Sequence, residues 1–138
     1  MESLATNVLL RLALGDVPEQ SQAAVALVAH DREFAVAGTA LVELVFALEH
    51  HYRLPRSEIQ RITKELLEVD NLRADSALAK AALSRFAGHP ALSFADCYLA
   101  EESIAAGNQP LWTFDRKLAN QHPAARLVPP ASDEAQQA

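Results

Sequence analysis

The 138 residues suit one domain with a single core, half of them are hydrophobic, only four are glycine, and the formal net charge is -6. That composition argues for a buried, largely helical core rather than disorder before the tail, and the acidic balance argues against a protein that grips nucleic acid through a broad basic surface. The single cysteine, Cys97, rules out an intramolecular disulfide, and no apolar run approaches the ~18 residues of a membrane span.

In chain order, Ser3 to Thr6 reads as a short strand and Val8 to Leu14 as a helix ended by Gly15 and Asp16. Pro18 opens a second helix to about Ala29. Phe34 to Ala37 is expected as a strand, and Thr39 is placed to cap a helix running to about His51, with Leu41, Leu44, Val45 and Leu48 on its apolar face. Pro55 and Ser57 start another helix, in which Ile59, Ile62, Leu66 and Leu67 recur at helical spacing. Val69 to Leu72 fits a short strand. An alanine-rich helix follows from Asp75 to Phe86, then a helix from Ser93 to Gly107, a buried strand from Leu111 to Phe114, a turn of helix from Asp115 to Asn120 and a strand at Leu127 and Val128. Strands alternating with helices, over connections too long for hairpins, predict an α/β fold with a parallel sheet. The domain is expected over 1–128, with 129–138 as a frayed tail.

Four separated segments put polar residues where a strand ends or a helix begins, the edge at which parallel sheets collect their ligands. They are Leu4-Ala5-Thr6-Asn7-Val8-Leu9-Leu10, Thr39-Ala40-Leu41-Val42-Glu43-Leu44, Ser93-Phe94-Ala95-Asp96 and Trp112-Thr113-Phe114-Asp115. Glu43, Asp96 and Asp115 are hard oxygen donors of the type a divalent cation takes. Each has a plainer reading: Ser93 with Asp96 has the spacing of a capping box, Asp115 can cap the helix after its strand, and Glu43 can sit on a helix surface. Three such coincidences at matching topological positions favour one shared site. Arg11, Arg116 and Lys117 are local cations that could assist beside a phosphate.

These four segments resemble, in order and spacing, the motifs of PIN-domain proteins from Leu4 to about Val128, and the size is most similar to the VapC-type toxins of toxin–antitoxin pairs. The resemblance implies a three-layer α/β/α fold with a short central parallel sheet. It implies an endoribonuclease dependent on Mg2+, with Mn2+ as an alternative, whose metal is held by Glu43, Asp96 and Asp115. Asn7, Thr113 and Ser93 would orient those ligands through hydrogen bonds. It also implies a VapB-like antitoxin partner, a homodimer, a toxin–antitoxin hetero-oligomer and an RNA substrate. The lack of a signal-peptide pattern and of a membrane-span run makes the cytoplasm the expected location, with no membrane association.

Ala5 departs from the motif, because the family carries its first Asp there and a methyl group cannot ligate a metal. The chain as written is therefore expected to be an inactive or weakened nuclease, through either an introduced Asp-to-Ala change or a natural loss. A competing reading is a catalytically inactive PIN-like module that binds an antitoxin-like protein or RNA without cleaving. A third, a helical protein with incidental acids, predicts acids far apart. Elsewhere, His50 and His51 read as surface residues, Cys97 as a small core residue, and Trp112 as part of the core beneath a buried strand.

Overall fold

The computed structural model describes residues 1–29 and 31–131. Over these residues the chain runs β1 (Glu2–Ser3), α1 (Thr6–Leu14), α2 (Pro18–Val28), β2 (Phe34–Ala35), α3 (Gly38–His50), α4 (Arg56–Leu67), β3 (Leu72–Arg73), α5 (Ser76–Gly88), α6 (Phe94–Ala105), β4 (Leu111–Thr113), α7 (Arg116–Gln121) and β5 (Ala125–Leu127). The α/β class with parallel strands expected from the alternation is the observed one. The expected tail at 129–138 falls mostly on 132–138, which lie outside the described residues.

All strand pairings are parallel, but they form two ladders. In one, β1, β2 and β3 lie in chain order, with Glu2 opposite Phe34 and Phe34 opposite Leu72. Amide bonds from Leu4 to the Ala35 carbonyl (3.0 Å) and from Val36 to the Arg73 carbonyl (2.8 Å) carry this ladder past its formal two-residue strands. The other pairs β4 with β5, Trp112 opposite Arg126. The strands are displaced from the sequence expectations because Thr6 already belongs to α1 and Val69 precedes β3. Two-residue strands hold no repeat from which a boundary could be read.

The core follows helical spacing. On α3, Leu41, Leu44, Val45 and Leu48 are buried, and on α4 Ile59, Ile62 and Leu66 meet them. Phe86 of α5 packs edge-on against Phe94 of α6, with ring centroids 5.7 Å apart. Burial of these rings and aliphatic chains contributes on the order of 2 kcal/mol each.

Helix starts differ by region. Asp75, Ser93 and Asp115 cap α5, α6 and α7 with side-chain oxygens, whereas Ala5, Val17, Ala37 and Pro55 precede α1 to α4 without one. Thr39 does not cap α3: the helix begins one residue earlier, at Gly38, where a β-carbon would sit 2.5 Å from the Tyr98 hydroxyl. The close approach of α6 leaves little room for a β-carbon at this first helical position.

Two polar ties brace the far side of the core. The guanidinium of Arg56, at the start of α4, donates through Nη1 to the carbonyls of Phe86 (2.9 Å), His89 (3.1 Å) and Leu92 (2.7 Å), and through Nε to Glu49 (2.9 Å). It lies 4.0 Å from the centroid of the Phe86 ring. His122, almost wholly buried, accepts the Ala124 amide at Nδ1, which leaves Nε2 to donate its proton to Glu101 at 2.9 Å.

Candidate functional site

The first segment of interest turns from β1 into α1 at Ala5, whose extended backbone (φ -77, ψ 162) precedes the helix. Its carbonyl accepts the amides of Val8 and Leu9. Its methyl group gives α1 no side-chain cap at a position where Asp, Asn, Ser or Thr is favoured. The turn lies beside the start of α3, and the two helix beginnings form an open cleft of about 530 Å3 lined by Ala5, Thr6, Asn7, Thr39 and Glu43 among others. At its rim the hydroxyl of Thr6 donates to Oε2 of Glu43 at 2.8 Å.

The structure thus brings Ala5, Asn7 and Glu43 to one cleft. Asp96 and Asp115 are not among the residues lining it. Asp96 sits half-buried in the first turn of α6, its amide held by the Ser93 hydroxyl at 3.1 Å. The residue before it, Ala95, lines a second cleft of about 620 Å3 that runs from Glu43 along Val42 to Tyr98, Leu99 and Glu102. Burial pushes the Tyr98 hydroxyl above its ordinary range, with Glu102 and Asp75 adding to the effect, so this cleft holds a neutral phenol.

Asp115 is exposed and caps α7, accepting the Lys117 amide at 2.9 Å, while its own amide donates to the Thr113 hydroxyl at 3.0 Å. Ser93 and Thr113 thus bond the backbone amides of Asp96 and Asp115, not their carboxylates. Thr6, which sequence reasoning left out of the candidate residues, is the one hydroxyl bonded to a candidate carboxylate among the described residues. Its only signal was its place between Ala5 and Asn7 in the first motif.

Of the three cations singled out from the sequence, Arg11 is committed to structure. It pairs with Asp16 at 2.7 Å and donates to the Tyr52 hydroxyl at 3.3 Å, fixing the turn in which Gly15 takes a positive φ of 62°. Arg116 and Lys117 are exposed beside Asp115. Cys97 is buried, as expected, and desolvation pushes its thiol up to about 11, which keeps it protonated and non-nucleophilic. His50 and His51 are exposed. Trp112 overturns its expectation: it is 52 % exposed, on the outward face of β4.

Parallel strands that run into helix starts, with Ala5, Asn7 and Glu43 brought to one cleft there, define an α/β protein whose candidate site lies at the carboxyl ends of its strands. Residues 4–122 match the PIN domain. The chain belongs to the PIN-domain family. No individually characterised protein matches it closely enough to count as a relative. PIN domains are generally nucleases that use divalent metals, typically Mg2+.

The residues of this chain do not fit such an ion as they stand. Ala5 offers no oxygen from its side chain, and among the described residues no group of three or more His, Cys, Asp or Glu side chains stands close enough to hold a metal. Nor is any helix among them long and apolar enough to cross a membrane.

Proposed function

We propose that this protein is an endoribonuclease of the VapC toxin type whose catalytic centre is incomplete at Ala5. The observation that carries the reading is the shared cleft: the methyl of Ala5 lies with Asn7, Thr6 and Glu43 where two helices begin. The remaining parts have definable roles. Thr6 fixes the orientation of Glu43, Ser93 and Thr113 anchor the turns that carry Asp96 and Asp115, and Asn7 offers a neutral amide at the rim. With a carboxylate restored at position 5, Glu43 is the one further candidate ligand for the family's Mg2+ or Mn2+ that already lines the cleft; Asp96 and Asp115, the others the family pattern implies, stand outside it. The metal would supply charge neutralisation at the phosphate.

The cleft between α3 and α6 supports the partner expected of that type. Val42, Leu99 and the Tyr98 ring make its walls apolar, and Glu43 and Glu102 lie at its edge. A VapB-like antitoxin segment with apolar side chains and one cation matches it, since an Arg fork pairs well with a carboxylate. Assembly as a homodimer and as a toxin–antitoxin hetero-oligomer, in the cytoplasm, belongs to the same proposal.

A second reading, an inactive PIN-like module that holds RNA or an antitoxin-like protein without cleaving, is favoured by the absence of a three-acid group among the described residues. One experiment separates the two. RNA from a mixed cellular pool is incubated with the chain as written, with Ala5→Asp, and with Ala5→Asp combined with Asp96→Ala, each in Mg2+, Mn2+ or chelator. Cleavage confined to Ala5→Asp, and abolished by chelator or by Asp96→Ala, is the expected result. A folded Ala5→Asp variant inert on every RNA would establish the binding module instead.

A further inference from the structure

The outward face of the β4–β5 ladder differs from the rest of the surface. Side chains alternate along β4: Leu111 packs against the core, Trp112 turns outward, Thr113 is half-buried, and Phe114, one residue past the strand, is 83 % exposed. Across the ladder Trp112 faces Arg126, whose guanidinium carbon lies 5.7 Å from the indole centroid. Arg116 and Lys117 follow Phe114 at the start of α7. Asp115 is the one acidic residue between Ser103 and Ala131, so this stretch reverses the sign of a chain that is acidic as a whole.

Two exposed aromatic side chains two positions apart, Trp112 on β4 and Phe114 just past it, with Arg126 against the first and Arg116 and Lys117 next along the chain, match the chemistry of a single nucleic-acid strand. Unpaired bases present flat π-faces for stacking, and the phosphates between them supply the negative charge. A duplex hides those faces. A second copy of the same face would bring like charges together, which opposes self-association through it.

We infer that the outward face of β4–β5, formed by Trp112, Phe114 and Arg126 with Arg116 and Lys117 at its rim, is a stacking platform for single-stranded RNA beside Asp115. The choice of RNA rests on the ribonuclease reading. Binding by the platform needs neither cleavage nor metal.

Trp112 is the only tryptophan in the chain, so its emission reports this face directly. The chain as written is titrated in chelator with a short single-stranded oligouridylate and, separately, with an RNA duplex of equal length. The expected result is quenching by the single strand, weakened by added salt, with little response to the duplex. Phe114→Ala should weaken binding by about fivefold or more. Arg126→Gln should weaken it and reduce the slope of log affinity against log salt by about one. Both replaced side chains are exposed, and unchanged thermal melts would confirm that the variants fold.

Failure of the single strand to quench, equal affinity for the duplex, or unaltered binding by both variants would overturn the platform. So would an emission change driven by protein concentration alone, which would mark the face as a contact between copies. The outcome is separable from that of the ribonuclease reading. Cleavage by Ala5→Asp with a silent Trp112 removes the platform only, whereas quenching with an inert Ala5→Asp keeps the platform and removes the nuclease.

Discussion

Polar side chains serve opposite ends around Arg56 and around Glu43. The Arg56 guanidinium is committed to three carbonyls, a carboxylate and an aromatic face, all within its own chain. Glu43 has one neighbouring hydroxyl, Thr6, and otherwise faces an open cleft. The first arrangement leaves nothing for a ligand and ties the α5–α6 connection to α4. The second leaves acceptor capacity free at the carboxyl end of a parallel sheet. Where the hydrogen-bonding capacity of a side chain goes unused by the fold is thus a better guide to function here than how acidic or basic a segment is.

Replacing Arg56 by Ala should show the largest effect. It removes a charged donor from three carbonyls and leaves Glu49 with only the exposed His50 beside it, a loss of about 3 kcal/mol in unfolding free energy by chemical denaturation. A change under 1 kcal/mol would mean that water replaces the guanidinium at little cost and that the contrast with Glu43 is overstated. Next in size, Ala5→Asp should raise stability by about 1 kcal/mol, because a carboxylate at this position can cap α1. A fall in stability that Glu43→Gln reverses would show instead that repulsion within the cleft outweighs the cap. Smallest, Glu43→Gln alone should shift stability by no more than about 0.5 kcal/mol, since the amide oxygen can still accept from Thr6. A loss comparable to that of Arg56→Ala would class Glu43 as a structural residue and empty the cleft of its main functional argument.

Much of this molecule can be read from its sequence, for reasons that differ from element to element. The buried faces of α3 and α4 are legible because their aliphatic residues recur every three or four positions. The caps at Ser93 and Asp115 are legible because a short side-chain oxygen just before a helix has few other uses. Thr39 looked equally suitable, yet the helix begins at Gly38 with Ala37 before it, a boundary that no local pattern in the sequence marks. Trp112 was misread because so short a stretch as Leu111 to Phe114 does not reveal whether a strand is covered on one face or on both. In the site, the gathering of Ala5, Asn7 and Glu43 follows from parallel topology. The Thr6 to Glu43 bond depends on how α1 lies beside α3, which no local pattern records.

The segment β4–α7–β5 packs chiefly within itself. Its links to the remainder run through Leu118 in the core, Leu111 and Ala125 at the core's edge, and the His122 to Glu101 bond. Such an arrangement should behave as a cooperative unit that opens while the α5–α6 pair stays closed, and hydrogen exchange should show its amides exchanging faster than the global limit. The protein would then have two levels of native order, the outer one reaching from Leu111 to Leu127 and including the sole tryptophan.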